Sequence, residues 1–349
     1  MKNINRNVNL DVIRSLAIVI VVCCHLGFFC WGIYSNEPML ASLLRYDGLT
    51  KLDLDNSILL KILSNARADS FNYGIFGVSL FFILSGYLFA KQSLNIASNQ
   101  ILIKRICRII IPLFFIYFII FNLLLAETDF NLFVSKYSIL GLFFYFGDLP
   151  SVGIFWTLEI ELLFYVLFAI FRPNNIRNTL YLIAFLIFAK ICLNSNSYFH
   201  KEFHFYWQFL PLVGCAFIFK KENLFILLFF IITFLSGNFK SSDLLSALLA
   251  YIVFISILSI NNIPFYIENC CKFIAKISYS LYLIHLPILA FTTYNMQKMG
   301  YGLDMAVFFG LIFSILISYI SSITFESIGI FAGKILTQNK IKPLKEKSI

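Results

Sequence analysis

Eleven positions separate Arg14 from His25 in "RSLAIVIVVCCH", and no charged residue lies between them. At 100° per residue, eleven steps make three full turns, so both side chains fall on nearly one helix face. They stand about 16 Å apart along the axis. A guanidinium holds anions, and an imidazole takes up and gives back a proton near neutral pH. Asp11, one turn before Arg14, is placed to pair with it. Taken singly, Arg14 reads as a snorkelling anchor and His25 as a buried, hydrogen-bonded ring. Their shared face adds another reading: an anion site at one end and a titratable base further in.

Three more segments carry chemistry-bearing groups. In "KRICRIIIP" (104–112), Arg105 and Arg108 are one turn apart, a spacing that suits a phosphate or simple charge anchoring. In "FWTLEIELLFY" (155–165), Glu159 and Glu161 are two residues apart. That is about 200° on a helix, so the carboxylates point to opposite faces and a paired-carboxylate mechanism is disfavoured. One of them is expected to face the interior with Phe164 and Tyr165. In "ISYSLYLIHLP" (277–287), Ser278, Tyr282 and His285 form one polar stripe, and Pro287 is expected to bend the helix just beyond it. Such a stripe lines a pocket or bonds to neighbouring helices. "GVSLFFILSGYLFA" (77–90) supplies small residues, Gly77, Ser79, Ser85 and Gly86, that permit close helix packing.

The elements that hold these groups must lie in lipid. The 349 residues are 60% hydrophobic and 13% charged, with 42 Phe and a mean hydropathy of +0.85. Soluble domains carry about 25% charged residues. The expected fold is all-α: a polytopic membrane helical bundle of about ten transmembrane helices, because helices satisfy their own backbone in hydrocarbon. The apolar runs are 11–33, 74–90, 107–126, 153–171, 179–194, 205–219, 224–238, 243–260, 273–294 and 304–333. Several are shorter than the ~20 residues that cross a bilayer comfortably. "YSILGLFFYF" (137–146) reads as a partial or re-entrant segment.

With the N-terminus in the cytoplasm and the spans alternating, 18 of the 27 Lys and Arg fall on the cytoplasmic side. This bias gives an N-in, C-in topology. The net charge of +9 is then a topology signal, and no nucleic-acid partner is expected. Asp11 and Arg14 interrupt the first run, which reads as a retained signal anchor. The chain reads as a single membrane domain, 1–349, with helices within 11–333, a charged outer loop at 34–73 and a basic cytoplasmic tail at 334–349. The eight cysteines show no metal-binding spacing, and no metal is expected.

In their order, these segments resemble the membrane acyltransferase-3 family of bacterial O-acyltransferases. "LDVIRSLAIVIVVCCH" is similar to the family's opening and "GVSLFFILSGYLFA" to its second helix. "RICRIIIP" is similar to its Arg-x-x-Arg ahead of the third helix. "FWTLEIELLFY" resembles its Trp-Ser-Leu-x-x-Glu-x-x-Phe-Tyr signature, with Glu161 on the glutamate and Thr157 in place of the usual serine. Glu159 occupies a position that is commonly small. "ISYSLYLIHLP" and, through Glu326, "ITFESIGI" resemble its last motifs. The resemblance runs from residue 10 to about 333, with no signature matched between 172 and 265.

The resemblance implies a multi-pass enzyme of the bacterial inner (cytoplasmic) membrane. Its donor would be cytoplasmic acyl-CoA, usually acetyl-CoA, used as a substrate. Its acceptor would be a sugar hydroxyl on a lipid-linked or surface glycan such as O-antigen or capsule. His25 would be the catalytic base or a transient acyl carrier, and Glu161 would orient it. Arg14, Arg105 and Arg108 would hold the donor phosphates, and Trp156, Tyr282 and His285 would line the substrate pocket. Membrane lipid is a further partner, and a homo-oligomer is compatible with the reading. The competing class is a proton-coupled transporter, in which intramembrane Glu and His form a relay.

Overall fold

The computed structural model describes residues 7–35, 71–125, 155–173, 175–193, 205–219 and 241–338. Among these residues every regular element is a helix: α1 (Val8–Ser35), α2 (Tyr73–Ser93), α3 (Ser98–Leu125), α4 (Phe155–Phe171), α5 (Ile176–Leu193), α6 (Phe205–Phe219), α7 (Ser241–Leu258), α8 (Phe265–Lys298), α9 (Leu303–Ile323) and α10 (Phe325–Gln338). The run at 224–238, the segment at 137–146, most of the loop at 34–73 and the tail beyond Gln338 lie outside the described residues. By length and composition, Val8–Leu26, Tyr73–Ser93 and the stretch Leu303–Gln338 can cross a membrane.

The last apolar run is two helices rather than one. Thr324 leaves helical geometry at φ −102°, ψ −84°, and α10 begins at the next residue. The break leaves few polar groups stranded. Thr324 N–H still donates to Ile320 O at 3.1 Å, and Ile328 N–H to Thr324 O at 3.0 Å. Hydropathy alone is blind to this joint, because both sides are apolar. Pro287 lies inside α8, which continues to Lys298.

Small residues set how closely the helices approach. A Cβ on Gly86 would lie 1.9 Å from Pro211 O, and one on Gly214 would lie 1.9 Å from Ile83 O. The backbones of α2 and α6 therefore touch, and Cys215 Sγ–H donates to Gly86 O at 3.2 Å. Gly77 does the same for α2 against α1, facing Val21 and Ala17 O. Gly329 and Gly333, a turn apart on α10, rest on Cys107 O and Lys104 Cα of α3.

α9 displays the polarity expected in lipid. Ala306, Gly310, Ser314, Ser318 and Ser321 are buried, whereas Phe308, Phe313, Leu316 and Ile320 are exposed. Small and hydroxylated side chains face the bundle, with Ser321 meeting Ser280 of α8 at 3.1 Å. The large apolar ones face outward, the arrangement of a membrane protein.

α1 is packed between α2 and α8. It is fastened to α8 by Ser15 Oγ–H donating to Cys271 O at 2.7 Å. Asn9 Nδ2–H donates to Leu258 O and Ile260 O, at the end of α7 and just beyond it. At the opposite end of α7, Asn72 caps α2 by accepting from Ile75 N–H. Asn72 also donates to Asp243 and Ser246 of α7. These bonds fix the axial register of the helices that carry the site.

Candidate active site

The site is built from one face each of α1, α4 and α8, with α3 and α10 closing one end. On α1, the face carrying Arg14 also carries His25, as their spacing requires. Arg14 and His25 are both half-buried. His25 Nδ1 lies 2.8 Å from Nε2 of His285. The two ring planes are 10° apart, with centroids at 5.0 Å. His285 is fully buried, and its Nδ1 lies 2.8 Å from Leu281 O, one turn back on its own helix. Tyr282 is one ring away, at 6.2 Å between centroids.

On α4, steps of four bring Thr157, Glu161 and Tyr165 onto one face. Thr157 Oγ1 and the Tyr282 hydroxyl are 2.5 Å apart. Glu161 Oε1 accepts from Ser85 Oγ–H at 2.9 Å and from the Tyr165 hydroxyl at 2.5 Å. The carboxylate expected to orient His25 is thus engaged by α2 and by its own helix, and the ring of His25 is met by α8. Trp156 lies in the first turn of α4, and its side chain, like that of Glu159, lies outside the described residues.

Cations gather at the other end. Arg105 lies over the Tyr165 ring, with Cζ 5.5 Å from the centroid. Arg108 donates from Nε at 3.0 Å and from Nη2 at 2.6 Å to Glu326 Oε1. Arg14 is within electrostatic range of Arg108, Asp11, Arg105 and Glu326. The three arginines singled out in the sequence therefore share one neighbourhood, one of them neutralised by a carboxylate. No cluster among the described residues has the ligands for a metal ion.

His25 and His285 are brought into contact, as are Glu161 and Tyr165. Ser85, Thr157 and Tyr279 join the site, the last by donating from its hydroxyl to Ile109 O of α3 at 2.7 Å. A serine in a packing motif and a tyrosine beside the polar stripe carry no distinguishing pattern of their own. Their role follows from which helix lies opposite.

Comparison with known proteins gives one result. A family model described as an acyltransferase domain matches residues 7–223. No curated protein and no solved structure matches the chain. The matched segment takes in Arg14, His25, Arg105, Arg108 and Glu161, and the fold adds Tyr282, His285 and Glu326 from beyond it. This membrane-embedded chain belongs to the acyltransferase-3 family and carries its acyltransferase domain.

Proposed function

We propose that the protein is an O-acyltransferase of the bacterial inner membrane. It moves an acyl group, acetyl by preference, from cytoplasmic acyl-CoA to a sugar hydroxyl of a lipid-linked or cell-surface polysaccharide. One observation carries this reading: an imidazole held inside the bundle shares a helix face with Arg14, which lies in the same electrostatic neighbourhood as Arg105 and Arg108. Such a group of cations suits the phosphates of a CoA thioester. The pantetheine arm is long enough to carry the thioester inward along α1 toward His25.

A sugar hydroxyl attacks a thioester slowly until a base removes its proton. His25 takes that proton as the C–O bond forms. The C–S bond then breaks, and the imidazolium returns the proton to the departing thiolate. Glu161, bonded to Ser85 and Tyr165, holds α4 and α2 in register. Tyr282 lines the acceptor side, and His285 lies against Nδ1 of His25.

The test is incubation of purified protein in detergent with radiolabelled acetyl-CoA, with and without a lipid-linked glycan extract. Label on the glycan for wild type, and not for His25→Ala, supports the assignment. Label on the protein alone, lost in the variant, would replace the direct transfer by an acyl-histidine intermediate. Equal labelling of glycan by both proteins would remove His25 from the chemistry. A proton-coupled transporter would leave acyl-CoA unconsumed.

A further inference from the structure

His285 is the buried group whose contacts say most about another residue. Its Nδ1 is 2.8 Å from the carbonyl of Leu281, and a carbonyl oxygen only accepts. Nδ1 therefore carries a hydrogen. In neutral imidazole the second nitrogen is then an acceptor, so His285 Nε2 offers its lone pair to His25 Nδ1 at 2.8 Å. His25 must donate from Nδ1, and in the neutral ring that leaves its Nε2 without a proton.

The alternative is a doubly protonated His285 donating to His25. That places a cation on a fully buried ring, with two carboxylates of the site already engaged. Glu161 is held by Ser85 and Tyr165, and Glu326 by Arg108. An unpaired charge in that setting is costly.

We propose that His285 is the positioning residue of the transferase, which fixes His25 in the Nδ1–H tautomer and so makes Nε2 the nitrogen that takes the acceptor's proton. The inference rests on the reading of His25 as the base. His285 holds the place that a carboxylate occupies behind the histidine of a hydrolytic triad. It differs in being uncharged, so it orients the ring without adding negative charge to the membrane interior. The near-coplanar rings keep the N–H···N bond in line while His25 gains and loses a proton at its far nitrogen. The helix-internal bond to Leu281 holds the His285 ring in turn.

The test reads the tautomer itself and needs no turnover. The chain has four histidines, so ¹⁵N-histidine labelling of the full-length protein in detergent gives four ring patterns in a long-range ¹⁵N–¹H correlation spectrum. The His25 pattern is the one missing from His25→Asn. The expected result is His25 as Nδ1–H in wild type and as Nε2–H in His285→Leu. His285→Gln, whose amide oxygen can accept in place of Nε2, keeps His25 as Nδ1–H. Acyl transfer should fall about 10- to 100-fold in kcat for the leucine variant, with the KM for acetyl-CoA unchanged, and recover in the glutamine variant. An Nε2–H His25 in wild type, or no change of tautomer in folded His285→Leu, overturns the proposal. Transfer by His25→Ala at the wild-type rate would instead overturn the reading of His25 as base, whatever its tautomer.

Discussion

Arg108 and Glu326 meet through two donors on one carboxylate oxygen, Nε at 3.0 Å and Nη2 at 2.6 Å. The pair joins α3 to α10, and Glu326 is almost wholly buried. Removing either partner leaves the other charge uncompensated in a poorly solvated place. Glu326→Ala and Arg108→Ala should each lower stability in detergent by about 1.5–3 kcal/mol. The double variant should lose less than the sum. Additive losses in thermal unfolding would show that the two do not act as a pair.

Arg105 has a different neighbour, the face of Tyr165, and no carboxylate among the described residues pairs with it. Its half-buried charge is open to an incoming anion. Arg105→Ala should raise the KM for acyl-CoA by roughly tenfold, about 1.4 kcal/mol of binding, with little change in kcat. Lysine at this position should recover part of the loss, because it keeps the charge and loses the planar fork. Steady-state kinetics over a range of acyl-CoA concentrations decide it. A fall in kcat alone would place Arg105 in the chemical step.

The hydroxyls of Thr157 and Tyr282 couple α4 to α8 at 2.5 Å. Tyr282→Phe and Thr157→Val should each cost about 1 kcal/mol of stability. Thr157→Ser, which keeps the hydroxyl, should be close to neutral. A serine variant as damaged as the valine would mean that the threonine methyl, and not its hydroxyl, matters at this contact.

Gly86 has no room for a side chain, since its Cβ would sit 1.9 Å from a backbone oxygen of α6. Gly86→Ala should force the helices apart and cost about 1–3 kcal/mol. Gly302, where nothing lies within 4 Å of a Cβ, is the control, and alanine there should be tolerated. Comparable melting temperatures for the two variants would contradict the close packing of α2 on α6.

Much of this arrangement was legible before any coordinates. Helical periodicity alone places Arg14 and His25 on one face, because only α1 is involved. The same holds for Glu161 and Tyr165, four residues apart on α4. The all-helical fold follows from composition. What periodicity cannot reach is the pairing of faces between helices. His285 could be assigned to a polar stripe, but its partner depended on α1 and α8 lying side by side in register. Glu161 was drawn toward His25 by the logic of a triad, and instead found Ser85 across the tight α2 contact. The division at Thr324 escaped for another reason: a joint between two apolar helices leaves no mark in hydropathy.

The His25–His285 contact joins residues 260 positions apart in the chain. During synthesis, α1 enters the membrane with a histidine that cannot meet His285 until α8 has been made and inserted. Most of the polypeptide must therefore be in place before Nδ1 of His25 meets His285. A chain cut short by stalled translation or proteolysis could carry every residue of the matched segment and still lack the ring that orders His25.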